Sequence, residues 1–162
     1  MPPVEVTTLF TVGYERATPA GLVEALRAAG VRRVVDVRAL ANSRRPGFAK
    51  RALSAALQEA GVGYVHIPAL GTPAEGRAAV RAGKPEGMRR VFARHLAGTE
   101  ARAALASLGD LARREPVCLL CLEADPRLCH RALVAEAVAA GGGVAVSHLH
   151  PGAPDADLPR PA

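Results

Sequence analysis

All three cysteines of this 162-residue chain lie in one stretch, VCLLCLEADPRLCHRALVAEA (117–137), beside a histidine, carboxylates and two arginines. Such residues bind metal, form reactive thiols or hold anions, and their spacing helps to separate the three. Cys118 and Cys121 have the C-x-x-C spacing of a zinc site, which Cys129 and His130 would complete. Yet 117–123 reads as a strand, in which residues three apart point to opposite faces. Leu119 and Leu120 also stand where zinc pairs use a tight polar turn, so the cysteines are expected to hold no metal. Cys121 and Arg127 are spaced as C-x5-R between a strand and a helix. In such loops backbone N–H groups converge on an anion and acidify the thiol. Here the intervening LEADP has no glycine, Pro126 lacks an N–H, and Glu123 on the same strand face opposes a thiolate. Cys121 stays a candidate thiol, with a packed strand cysteine as its alternative. Cys129, on the helix line of Leu133 and Ala137, carries the same two readings.

An anion pocket fits this spacing better. Asp125 suits an N-cap and Pro126 a first helical residue, which puts Arg127, His130 and Arg131 in the opening turn and a half of a helix. Free N–H groups and the macrodipole draw anions to such a terminus. His130 shares the line of Val134 and Val138, so its ring should face the sheet near Glu123.

Short apolar runs alternate with capped helical stretches, and these elements must position the site. TLFTVGY (8–14), RRVVDVR (32–38), GYVHIP (63–68), VCLLCLE (117–123) and VAVSHLH (144–150) read as strands. Helices are expected at 18–30, 50–61 and 126–141, and residues 74–114 read as a helical insertion without a strand. The pattern predicts one α/β domain over 8–150, with a five-stranded, mainly parallel, Rossmann-like sheet in the order 3-2-1-4-5 and helices on both faces. Residues 151–162, PGAPDADLPRPA, read as a flexible tail.

Ligands of such sheets sit beyond the carboxyl ends of the strands. Those ends offer Gly13 and Tyr14, then Asp36 and Arg38, then Gly71 after the third strand, and Glu123. The loop ALANSRRPGF adds Ser43 and Arg44, and Phe48, which either stacks on a base or anchors the loop.

Composition sets outer bounds. The net charge of +6 comes almost wholly from arginine, since only Lys50 and Lys84 are lysines, and it favours anionic partners unless it is merely compositional. Two tyrosines, three phenylalanines and no tryptophan exclude a long base-stacking platform. No signal-peptide pattern or membrane-length apolar run occurs, and the odd cysteine count suits a reducing compartment, so a cytoplasmic protein without membrane contact is expected.

The ordered segments TVGYE, VVDVRALANSRRPGF, GVGYVHIPALG and LLCLEADPRLCHRALVAEAV resemble the domain-of-unknown-function family 488 over about residues 9–150. The resemblance implies a compact α/β fold and marks Gly13, Asp36, Arg38, Ser43, Pro46, Phe48, Leu70, Gly71, Cys121, Glu123, Pro126, Cys129, His130 and Arg131. It implies no particular activity or cofactor. One departure is LGTP, where many members have LGG.

These readings converge on a site for an anionic small molecule or nucleic acid, most simply a phosphate-bearing ligand, with hydrolysis or group transfer as the chemistry. Asp36 or Glu123 would serve as base and His130 as acid or base. Gly13, Tyr14, Arg38, Ser43, Arg44, Phe48, Gly71, Arg127 and Arg131 would hold the ligand. Two alternatives stay open: a non-enzymatic nucleic-acid-binding module, and a thiol enzyme or sulfur carrier using Cys121.

Overall fold

The computed structural model describes residues 5–151. Beyond Pro151, the expected tail falls outside the described residues. Five parallel strands, β1 (Thr7–Gly13), β2 (Arg33–Asp36), β3 (Gly63–His66), β4 (Val117–Cys121) and β5 (Val144–Leu149), form one sheet. Six α-helices occur among the described residues: α1 (Pro19–Ala28), α2 (Lys50–Glu59), α3 (Ala74–Arg81), α4 (Pro85–Leu96), α5 (Thr99–Arg114) and α6 (His130–Ala140). The insertion at 74–114 is helical throughout its three elements, as its pattern predicts.

The strand order is β3-β2-β4-β1-β5, so the two central strands are exchanged relative to the expected 3-2-1-4-5. Burial and polarity account for the exchange. All five residues of β4 are buried, and a strand without polar side chains is best covered at the sheet centre. In β1 the buried Thr11 hydroxyl finds its partner in His148 Nδ1 of β5, 2.5 Å away, which suits β1 as the neighbour of β5.

The pleat divides the core in two. Cys118 and Leu120 face Leu22 and Leu26 of α1 and Leu53 and Leu57 of α2. Val117, Leu119 and Cys121 face Phe92 of α4, Leu108 of α5 and Val134 of α6. Each fully buried leucine contributes about 1.5–3 kcal/mol relative to exposure. α1 starts as its sequence dictates: Thr18 Oγ1 accepts from the Gly21 N–H, and Pro19 supplies the first helical φ. No helix among the described residues is long and apolar enough to cross a membrane.

Candidate functional site: a dithiol–imidazole cluster

The chain from β4 to α6 builds the site. Cys121 ends β4 on the α6 side of the sheet. The backbone then crosses the end of β1, where a Cβ on Gly13 would lie 1.8 Å from the Glu123 carbonyl oxygen, so only glycine fits. Asp125 caps a 3-10 turn, Pro126–Leu128, by accepting from the Arg127 N–H. The helix expected to begin at Pro126 instead starts at His130. Cys129 is extended (φ −126°, ψ 140°), so the 3-10 turn does not run on into α6, and Cys129 becomes the N-cap of that helix. This break swings both Cys129 and His130 toward Cys121.

The His130 ring is fixed at two places. Its Nε2 lies 2.7 Å from the Val37 carbonyl oxygen, an acceptor only, so Nε2 carries a proton. Phe92 meets the ring edge-on at 5.1 Å. Nδ1 is therefore turned to the thiols, 3.8 Å from Cys121 Sγ. The ligating atoms of Cys121, Cys129 and His130 all lie within 4.8 Å of one another, close enough to exchange protons or converge on a soft metal ion. Cys118 is on the opposite face and belongs to no such group among the described residues, so the spacing Cys118, Cys121, Cys129, His130 does not bring four donors together.

Electrostatics polarise this cluster. Burial resists charge on Cys129, but hydrogen bonds from Cys121 and His130 and the charges of His130 and Arg131 hold its thiol well below the ordinary range. Its position at a helix N-terminus acts in the same direction. Cys121 moves up, because it keeps the proton it shares with Cys129 and is buried. Burial resists charge on His130 too, but hydrogen bonding and attraction to Cys129 push it up. Burial and the Cys129 charge raise Glu123 to about 7, and its Oε2 is buried without a hydrogen-bond partner. Arg131 is fully buried and donates to the carbonyls of Glu123 and Ala124, with Nε unpaired. No carboxylate among the described residues forms an ion pair with it, and its charge helps to lower the Cys129 thiol.

A second framework forms the facing wall. Asp36, fully buried, accepts from Arg38 Nε at 2.9 Å and Nη2 at 2.7 Å, and from the Tyr64 hydroxyl at 2.5 Å. Arg38 Nη1 donates to the Tyr14 hydroxyl and the Phe48 carbonyl. Tyr14 stacks on Phe48 at 4.6 Å, and Arg45 lies over the Phe48 ring while donating to the carbonyls of Tyr14, Glu15 and Ala17.

Between the two lies a cavity of about 440 Å³. Tyr14, Arg38, Cys121, Glu123 and His130, all candidates from the sequence, line it. Cys129 and Asp36 stand back from its wall, each in contact with a residue that lines it. Other candidates lie elsewhere. Gly13 and Gly71 permit close backbone approaches, to Glu123 and Ala39 respectively. Ser43 Oγ accepts from the Arg45 N–H, Arg44 is exposed on the loop, and Phe48 is core. Arg127 is exposed and paired with Asp125, and Arg131 lies beneath the turn. Arg77, Val80 and Arg81 of α3 and Met88 of α4 also line the cavity, and sequence reasoning missed them. Their signal was present: 77, 80 and 81 are spaced i, i+3, i+4, one helix face.

Fold and site together define a Rossmann-like α/β protein with a buried dithiol–imidazole centre at the strand ends. Residues 18–138 match the model of the domain of unknown function DUF488, and the chain belongs to that family. No curated protein and no solved structure matches it.

Proposed function

We propose that the protein is a cysteine-dependent enzyme whose Cys121 forms a covalent adduct with a small anionic ligand in the strand-end cavity. One observation carries this reading: the His130 ring, tied through Nε2 to the Val37 carbonyl, turns Nδ1 onto Cys121 at the cavity wall, with Cys129 within 4.8 Å behind it. Cys121 presents the sulfur to the ligand. As it attacks, its proton passes to the Cys129 thiolate, and protonated His130 gives its Nδ1 proton to the leaving group. Glu123, near 7, is a second proton carrier at the same wall. Arg77 and Arg81 also line the cavity and supply positive charge, and a phosphate-bearing ligand is among those they would suit.

Alkylation of the folded protein by iodoacetamide and by the anionic iodoacetate, mapped by mass spectrometry, tests this. Cys121 should be the labelled residue, while Cys118, fully buried on the other face, should stay unlabelled until denaturation. His130→Gln should slow labelling by about tenfold or more. Failure of both Cys121 and Cys129 to react in the folded state would refute the reading.

A further inference from the structure

We propose that Cys121 and Cys129 form a reversible catalytic disulfide, and that the substrate is a small anionic disulfide which this pair reduces. The proposal rests on the thiol reading and extends it to a reaction and a substrate class. The two sulfurs lie within 4.8 Å, on a strand end and a helix N-cap separated by a short turn. Bonding requires them to close to about 2 Å, within reach of side-chain rotation and a small shift of the turn. Their exposures differ in a useful way: Cys121 lines the cavity at 6% exposure, whereas Cys129 is 2% exposed and set back from the wall. Cys121 is thus the sulfur a ligand reaches first, and Cys129 the one that resolves.

The chemistry closes without a further co-reactant in this half-reaction. Cys121 sulfur attacks one sulfur of the substrate disulfide, the S–S bond breaks, and the first substrate thiol leaves with the His130 Nδ1 proton. Cys129 passes the proton it took from Cys121 to His130 and, as thiolate, attacks Cys121 Sγ, forming the internal disulfide and expelling the second substrate thiolate, which takes up a proton. Substrate gains two electrons, and the protein pair loses two. A cellular dithiol must return the protein to its reduced form by the same exchange in reverse. The unpaired charge of Arg131 favours thiolate on Cys129, and Arg77 and Arg81 face the cavity where substrate carboxylates would lie.

Chelator-treated, fully reduced protein is mixed with glutathione disulfide, quenched in acid, denatured, alkylated and weighed intact. Wild type should lose the mass of two hydrogens and two alkylatable thiols, leaving Cys118 as the labelled residue. Cys129→Ser should instead hold a stable mixed disulfide with glutathione on Cys121. Cys121→Ser should hold none, with circular dichroism confirming that both variants fold. Arg77→Ala combined with Arg81→Ala should slow the reaction with glutathione disulfide by roughly fivefold or more relative to the reaction with neutral hydroxyethyl disulfide. If wild type stops at the mixed disulfide as Cys129→Ser does, the dithiol proposal fails while the nucleophile reading survives. If Cys121 forms no adduct with either disulfide but alkylates with iodoacetamide, the substrate class is wrong. If it reacts with nothing, both readings fall.

Discussion

Glu123 illustrates how burial tunes a single residue. Its carboxyl titrates near 4.5 when exposed and near 7 in the folded chain, burial being the first cause and the Cys129 charge the second. A folded pKa raised in this way adds stability below about 4.5, and that contribution disappears as pH rises to about 7. Glu123→Gln has no proton to lose, so the wild type should lose stability relative to the variant across that interval. Urea denaturation of both proteins between pH 4.5 and 7.5 measures the difference. Asp36 is held by its contacts instead: both its oxygens accept hydrogen bonds, from Arg38 and Tyr64. Asp36→Asn leaves the buried Arg38 guanidinium without its counter-charge and should cost about 3–5 kcal/mol in the same assay. Activity lost in that variant would follow from the collapse of the Arg38–Tyr14 wall, so a thiol-labelling rate measured alongside separates stability from chemistry.

The β4–turn–α6 element positions everything that reacts, and it was only partly legible. The apolar run VCLLC announced a buried strand, and Asp125-Pro126 announced a cap. A 3-10 turn and an α-helix begin with the same cap residues, so sequence alone could not show that the first turn stops at Leu128. That one difference removes Arg127 from the site and makes Cys129 a helix N-cap beside Cys121. It also explains why a cysteine that suited core packing by its helix line emerges with an acidified thiol. The glycine at 13 holds the element down. A Cβ there collides with the backbone at Glu123, which cannot rotate aside. Gly13→Ala should destabilise the protein by about 1–3 kcal/mol and displace the turn. Because the displaced turn carries Glu123 and leads to Cys129, the labelling rate of Cys121 should fall in this variant even at pH and temperature where it stays folded. A far-ultraviolet spectrum unchanged from wild type together with slower labelling would be the expected pair of results.

At the scale of the whole molecule, the number of strands and the helical insertion were readable from alternation, whereas the order of the two central strands was not. Both β1 and β4 read as apolar strands, and the full burial of β4 and the Thr11–His148 contact distinguish them only once folded. The net charge of +6 raises a similar ambiguity, because a basic protein attracts anions whether or not it has an anion site. Several arginines are already paired, Arg33 with Glu115, Arg89 with Glu86 and Arg127 with Asp125. Arg77 and Arg81 lie at the cavity and form no ion pair among the described residues. Salt separates the two origins of anion preference. Between 0.01 M and 1 M the Debye length shrinks from about 30 Å to about 3 Å, which removes long-range steering by the overall charge but leaves contacts inside the cavity. The ratio of iodoacetate to iodoacetamide labelling at Cys121 should therefore fall with salt and level off above the ratio seen with free cysteine. In the Arg77→Ala, Arg81→Ala protein the high-salt ratio should drop to the free-cysteine value. A wild-type ratio that reaches the free-cysteine value at high salt would assign the preference to net charge, and the two arginines would then have no part in holding the ligand.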